Sequence, residues 1–280
     1  MLIDDIRQAS SRLRELIASH GPFTVLTGAG ISTDSGIPAY RDENGDWKSP
    51  PPMQHQEYMR SASARQRYWA RSLHGWPRLY YAKPNPAHEV LAQWQTQGLI
   101  GTIITQNVDG LHQRAGSSQV IDLHGDANSM ICMDCGQRSP RLDMHQRCLT
   151  LNPCYAELTP EIGPDGDAFL EGDFSDFYVP DCLHCSGVLK PYVVYFGDNV
   201  PRPRVEQAQH ALRDSAGLLV IGSSLMVFSG FRFARQANQA EQPLILLNKG
   251  KTRADDIASL RLLTPIEPTL QAACRATEST

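Results

Sequence analysis

Apolar positions along this chain repeat with two periods. Ile6, Leu13, Leu16 and Ile17 recur at helical spacing across residues 3–18 and stop before Gly21-Pro22, which predicts a packing helix. Phe23-Thr24-Val25-Leu26 follows as a short β-branched run and predicts a strand. The alternation then returns. A helix is expected over 87–97 (Val90, Leu91, Trp94), strands over 99–105 and 120–123, a helix over 205–212, a strand over 218–221, a helix over 229–240 and a strand over 244–247. Residues 218–221 and 244–247 are apolar throughout, as in strands covered on both faces of a parallel sheet. Tyr192–Phe196, stopped by Gly197-Asp198, reads as a return to the same large domain. A helical stretch over 57–72 is expected to end before Gly75-Trp76-Pro77. Residues 42–52, rich in Pro, Gly and Asp, predict an irregular loop.

The strand ends carry the candidate chemistry. Gly28-Ala29-Gly30, close after the short strand Phe23–Leu26, has the grammar of strand, glycine turn and helix start, which predicts a phosphate cradle with hydroxyl donors from Ser32 and Thr33. Thr33 occupies the place of the third glycine of the usual dinucleotide fingerprint, so an ordinary tight turn is the competing reading. Later strands finish in Gln106-Asn107-Val108-Asp109, in His124-Gly125, in Gly222-Ser223-Ser224 and in Asn248-Lys249-Gly250. Helix capping would explain Asp109 alone. The whole series instead suggests one long polar ligand along the carboxyl edge of a sheet, and a dinucleotide has that extent.

Cys132-x-x-Cys135 and Cys182-x-x-Cys185 are two metal knuckles, each closely followed by a glycine, Gly136 and Gly187. Four thiolates satisfy one structural zinc with no open position. Disulfides are the rival reading, made less attractive by an odd count of seven cysteines. Cys148, Cys154 and Cys274 have no paired spacing, and His184 inside the second knuckle is a substitute ligand only if a cysteine is not used.

With 280 residues and a net charge of −4, the chain has room for a large core plus an appended module and offers no basic field for nucleic acid. Met1-Leu2-Ile3-Asp4-Asp5 carries acids where a secretion signal needs Lys or Arg, and no apolar run is long enough to span a bilayer, so a cytoplasmic location is expected.

Gly28-Ala29-Gly30-Ile31-Ser32, Ser35-Gly36-Ile37-Pro38, Gln106-Asn107-Val108-Asp109, His124-Gly125, the four knuckle cysteines, Phe196-Gly197-Asp198, Gly222-Ser223-Ser224 and Asn248 together resemble a sirtuin, an NAD-dependent protein-lysine deacylase. Arg67-Tyr68-Trp69-Ala70-Arg71, Gly75-Trp76-Pro77, Pro84–His88, Leu151-Asn152-Pro153 and Pro164–Asp167 are similar to the class II branch, which contains the fourth mitochondrial type. Ala39 stands where the family usually has Asp, Tyr40 where many members have Phe, and Asp198 where Glu is common. The resemblance implies an α/β fold: a Rossmann-like parallel sheet with helices on both faces, plus a smaller zinc-binding and helical module. Residues 1–45, 84–130 and 189–280 would form the NAD-binding domain, 46–83 a helical and cofactor-loop part, and 131–188 the zinc module.

The resemblance also implies roles. NAD is the co-substrate, with nicotinamide released and the acyl group passed to ADP-ribose. Asn107, Val108 and Asp109 would hold nicotinamide, Gln106 would reach ribose, and His124 would be the general base. Gly28, Ala29, Gly30, Ser32, Ile37, Pro38, Tyr40 and Arg41 would hold the phosphates and nearer ribose. Gly222, Ser223 and Ser224 would serve the phosphate on the adenosine side, and Asn248, Lys249, Gly250 and Ile266 the adenosine. An acylated-lysine peptide would add as a strand beside Val193, Val194, Phe196 and Gly197. Tyr68 and Arg71, spaced i and i+3, would share a helix face and could bind a carboxylate ending an acidic acyl chain; packing beside an exposed arginine is the alternative. The class II likeness points to longer or unusual acyl groups, including lipoyl, biotinyl or branched dicarboxyl types, besides acetyl. A protein mono-ADP-ribosyltransferase using the same NAD pocket is the alternative function.

Overall fold

The computed structural model describes residues 1–48, 52–161 and 168–275. Strand β1 (Leu2–Ile3) leads into α1 (Ile6–His20), whose first turn is closed by the Asp5 carboxylate accepting from Gln8 N. Then follow β2 (Phe23–Thr27), α2 (His55–Arg60), α3 (Ala62–Tyr81), α4 (Pro86–Thr96), β3 (Ile100–Thr105), α5 (Leu111–Arg114) and β4 (Val120–Asp122). Strands β5 (Gly125–Cys132) and β6 (Arg138–Pro140), helices α6 (Arg141–Leu151) and α7 (Pro153–Ala156), and strand β7 (Leu189–Val193) form the middle of the chain. It closes with α8 (Arg202–Arg213), β8 (Leu218–Ile221), α9 (Phe228–Gln239), β9 (Leu244–Leu247), β10 (Leu260–Leu262) and α10 (Ile266–Arg275).

Seven strands form one parallel sheet in the order β1-β10-β9-β8-β2-β3-β4. Because side chains alternate along a strand, β8 and β9 feed two cores. Leu219, Ile221, Ile245 and Leu247 meet Leu13, Leu91, Trp94 and Leu270 from α1, α4 and α10 on one face. Leu218, Val220, Leu244 and Leu246 meet Ala208, Leu212, Phe233 and Ala237 from α8 and α9 on the other. The expected Rossmann-like sheet with helices on both faces is therefore present. The chain runs outward from β2 to β3 and β4, then restarts at β8 beside β2 and runs the other way, so the switch point lies between β2 and β8.

A second sheet, antiparallel in the order β6-β5-β7, carries the cysteines. Here the sequence reading needs correction. The strand expected over 192–196 is β7, which starts and ends three residues earlier, and it pairs with β5 in this small sheet rather than in the large one. Residues 125–130 and 189–193, assigned from sequence to the large domain, belong to that sheet. The helix expected to stop before Gly75 instead begins anew after Ser61 and continues through Pro77 to Tyr81. Trp69, Leu73 and Trp76 bury one face of α3, and that burial offsets the roughly 3 kcal/mol a proline costs inside a helix. Part of the loop expected over 42–52 and the Pro164–Asp167 segment lie outside the described residues.

Candidate active site

At the switch point the turns after β2 and β8 touch backbone to backbone. A Cβ on Gly28 would lie 2.7 Å from the Ser223 Cβ, and one on Gly30 would lie 2.8 Å from the Gly222 Cα. Gly28 N donates to Ile221 O (3.1 Å) and Gly30 N to Gly222 O (2.9 Å). Gly222 itself has φ +63°, a left-handed value that favours glycine. The phosphate cradle expected on the amides of Gly28 and Gly30 is thus corrected: those N–H groups are used between the two turns, and the glycines are needed for close approach.

Behind this contact lies a buried polar network. Asn107 Nδ2 donates to Gly28 O (3.1 Å) and Ser32 Oγ (3.0 Å), and Ser32 Oγ donates to Asp109 Oδ2 (2.8 Å). Asp109 Oδ1 accepts from Leu111 N (2.9 Å), so the capping role coexists with the bond to Ser32. Burial raises the Asp109 pKa, opposed by the bonds from Leu111 and Ser32. Gln106, Asn107 and Asp109 follow β3, while Ser32 follows β2, so parallel pairing of Thr27 with Thr105 is what brings them together.

Sequence reasoning missed the support below. Thr27 Oγ1 donates to Thr105 Oγ1 (2.8 Å), which also accepts from Asn107 N (3.1 Å). His112 Nε2 must then donate to Thr27 Oγ1 (2.9 Å), leaving Nδ1 as an acceptor. His88 Nδ1 accepts from Asn85 N (3.3 Å), so its Nε2 carries the proton. The two rings lie 4.9 Å apart at 60°. Burial lowers His88 to about 4 and His112 to about 3, so both rings are neutral at pH 7. Asn85 Nδ2 reaches Ile31 O (2.7 Å) and Ser35 Oγ (3.0 Å), tying α4 to the glycine turn. Only the strand-end placement of Thr27 and Thr105 hinted at this network from sequence.

His124 follows β4. Its Nδ1 faces Gln106 O (3.0 Å), a pure acceptor, so Nδ1 carries the proton and Nε2 is the basic atom. Nε2 accepts from Ser229 Oγ (2.7 Å), a partner from α9 that sequence reasoning also missed. Burial lowers His124 to about 4, against the favourable bond to Gln106. Ser223 Oγ donates to Gln106 Oε1 (2.5 Å), linking the rims of β8 and β3.

The remaining candidates surround this centre. Arg41 Nη1 donates to Gly45 O (2.7 Å), and its guanidinium lies 3.9 Å from the centre of the Trp47 ring, which in turn meets Phe196 edge to face at 5.4 Å. Ile37 N bonds Ser32 O, Pro38 is half-buried, and Tyr40 is exposed. Ala29 starts the 3-10 turn, and Val108 O accepts from Ala127 N. Ser224 O accepts from Arg253 N, Asn248 Nδ2 donates to Gly250 O (2.8 Å), and Lys249 is exposed. Ile266 opens α10 with its side chain against the first core. Val193 pairs with Gly125, Val194 N bonds His124 O, Phe196 O accepts from His55 N, and Gly197 O from Gln56 Nε2.

Tyr68 and Arg71 have different partners. Tyr68 sits among Tyr58, Trp69 and Tyr195, whereas Arg71 donates through Nε and Nη2 to Leu170 O (3.4 and 3.2 Å). Backbone from the zinc-module insert takes the guanidinium, a long-range contact that i,i+3 spacing does not reveal.

The four knuckle sulfurs lie within 4.8 Å of one another, with Cys132–Cys185 at 3.5 Å and Cys135–Cys182 at 3.9 Å. Tetrahedral zinc with Zn–S near 2.3 Å places sulfurs about 3.8 Å apart, so the set fits one structural zinc. The knuckles match: Gly136 N bonds Cys132 O and Ser186 N bonds Cys182 O, with φ +73° and +59°. Ser186, rather than Gly187, is thus the left-handed residue of the second knuckle. His184 is exposed and outside the cluster, while Cys148 and Cys274 are buried.

The Sir2 family model matches residues 28–229. Over 258 residues, covering 92% of this chain and 88% of the relative, the sequence is 51% identical to an NAD-dependent protein deacetylase of Xanthomonas campestris pv. campestris (strain 8004). It is 44% identical over 254 residues to the NAD-dependent protein lipoamidase sirtuin-4, mitochondrial, of Bos taurus, covering 89% of this chain and 81% of the relative. A solved Sir2 structure with p53 peptide and NAD+ superposes with a TM-score of 0.79 at 28% identity, covering 96% of this chain and 98% of that one.

Proposed function

The chain belongs to the Sir2 family, and from that premise we propose that it is an NAD-dependent protein-lysine deacylase whose chemistry is carried by His124. The observation that carries the reading is the His124 tautomer. Gln106 O holds the Nδ1 proton, so the basic Nε2 is turned to the sheet rim, where Ser229 now occupies it. NAD supplies a ribose carbon from which nicotinamide leaves when an acyl-amide oxygen is held in line with it. Asn107 and Asp109, fixed by Ser32 and Leu111, offer a carboxamide the donor and acceptor it needs. Nε2 of His124 can then take a ribose hydroxyl proton in place of the Ser229 hydroxyl. Arg41, Ser223, Ser224 and Asn248 stand on the same rim for the phosphates and adenosine ribose, with Gln106 bonded to Ser223 between them. Cys132, Cys135, Cys182 and Cys185 would hold zinc, which supplies structure only because all four positions are protein thiolates.

Acylated-lysine protein or peptide is the partner. No helix of the described residues is long and apolar enough to cross a membrane. We place the protein in the cytoplasm, a reducing compartment that suits four metal-binding thiolates. The test is mass spectrometry of acyl peptides with NAD, where nicotinamide and O-acyl-ADP-ribose are expected in equal amounts. His124→Ala should lower turnover by about 10²–10⁴-fold with melting little changed. Transfer of labelled ADP-ribose to protein that survives this substitution would replace the reading with a mono-ADP-ribosyltransferase.

A further inference from the structure

Beside the catalytic histidine, α9 presents one exposed aromatic ringed by arginines. Phe228 is 46% exposed, and the guanidinium carbons of Arg232, Arg235 and Arg253 lie 5.3, 5.8 and 6.0 Å from its ring centre. Residues 228, 232 and 235 are spaced i, i+4, i+7 and share one helix stripe. Arg253 comes from a separate segment, lies 4.4 Å from the Phe231 ring and donates to Met226 O (3.4 Å). Among the described residues the ion pairs involve other groups, and none of these three arginines has an acidic partner. Arg232 Nε is buried without a hydrogen bond. Three unpaired cations gathered on one patch run against the net charge of −4.

Position gives the patch its meaning. Ser229, next to Phe228, bonds His124. Gly45 packs against the Met226 side chain, and Trp47 of the same loop meets Phe196. The patch and the strand offered to substrate therefore flank one loop at one rim. Cation–π contact with Phe228 and Phe231 helps hold the guanidinium groups at this surface, where their remaining N–H groups can pair with carboxylates.

We infer that Arg232, Arg235 and Arg253 around Phe228 form a docking site for acidic side chains of the substrate, so that acyl-lysines flanked by Asp or Glu are preferred. The inference rests on the deacylase reading. From Phe228 to Arg235 the helix advances about 10 Å at ~1.5 Å per residue, which equals roughly three residues of extended peptide at ~3.3 Å each. The favoured acids thus fall within a stretch of about three residues on one side of the acyl-lysine.

The experiment compares kcat/KM for peptides carrying one acyl group and either acidic, neutral or basic flanks, with wild type and Arg235→Glu/Arg253→Glu. Both replaced side chains are exposed, so the variant should fold. Wild type should favour acidic over neutral flanks by about tenfold at low salt, less at high ionic strength. The variant should lose or invert that preference while keeping its rate on the neutral peptide and its KM for NAD. Equal rates in wild type, or a preference that survives in the variant, would overturn the proposal. So would a raised KM for NAD with peptide preference intact, which would assign the arginines to the cofactor. Fluorescence anisotropy with acidic acyl peptide and no NAD reads the patch even in a protein that turns nothing over, so failure of the docking site and failure of the deacylase reading give different results.

Discussion

In the large sheet, β8 and β9 are sealed on both faces by helices, whereas the small sheet that carries the cysteines rests on one thinner core built from Trp69, Leu73, Met130, Cys148, Phe177 and Leu189. The first region is ordered mainly by burial. The second brings four thiols together on turns, two of which, Cys135 and Cys185, are exposed. Burial supplies free energy in proportion to area, while four thiolates at tetrahedral spacing supply it only when zinc is bound. The candidate site's rim lies where the regions meet, because His124 lies in the short link between β4 of the large sheet, which ends at Asp122, and β5 of the small one, which begins at Gly125. Val194 N, just past β7, also bonds His124 O, so order in the small sheet supports the backbone of His124.

The sharpest way to break this contrast is to remove the metal. Structural zinc contributes about 10–16 kcal/mol in small zinc-folded units, as much as a whole domain's usual stability of about 5–15 kcal/mol. Chelation, or Cys132→Ser, is expected to expose the amides of β5, β6 and β7 to hydrogen exchange and abolish deacylation while protection in β2, β8 and β9 persists. A metal-free protein with unchanged melting and turnover would show that the small core suffices.

Acid should act in the opposite direction, on the large region. His88 and His112 are neutral when buried and have an ordinary pKa near 6.5 in the unfolded chain. The unfolded state therefore binds protons first, so the stability these rings confer is complete above pH 6.5 and is lost as pH falls towards 4 and 3. At pH 5 the loss is about 2 kcal/mol per ring. Melting should fall between pH 6.5 and 4, and His112→Asn should flatten that slope. A melting temperature constant across the window would mean the rings are solvated.

How much of this was legible follows the same division. Strands β8 and β9 are uninterrupted apolar runs, and the two C-x-x-C knuckles define a metal set by spacing, so both are visible in sequence. Strand β5 was not expected, because Asp126, Asn128 and Ser129 and a register shift between Asp126 and Met130 break its alternation. Strand β7 lies earlier than the apolar run predicts, because that run continues to Phe196, which bridges to Gln54 instead. At the site, Gln106, Asn107, Asp109 and His124 were marked by their place at strand ends. Ser229, His112, His88 and Asn85 come from helix starts or helices, and only tertiary packing joins them to that rim.

A smaller effect is expected where the two turns of the rim touch. Gly222→Ala puts a Cβ 2.6 Å from Ile31 N in a left-handed backbone. Strain and clash together should cost roughly 2–4 kcal/mol, lowering both melting and NAD affinity because Gly222 O accepts from Gly30 N in the same turn whose Gly28 O accepts from Asn107. Normal NAD affinity by calorimetry would show that the cofactor does not depend on this approach.

The smallest effect tests which region chooses the acyl group. If Arg71 served a carboxylate, Arg71→Ala would selectively impair succinyl peptides. Its guanidinium instead donates to Leu170 O, a neutral backbone acceptor at the edge of the zinc-module insert. Loss of such partly buried bonds costs about 1 kcal/mol, so Arg71→Ala should lower melting slightly and change the succinyl-to-acetyl ratio of kcat/KM by less than about twofold. A tenfold fall confined to the acidic acyl peptide would mean that the insert releases Arg71 when substrate arrives. The small region would then act in specificity as well as in support.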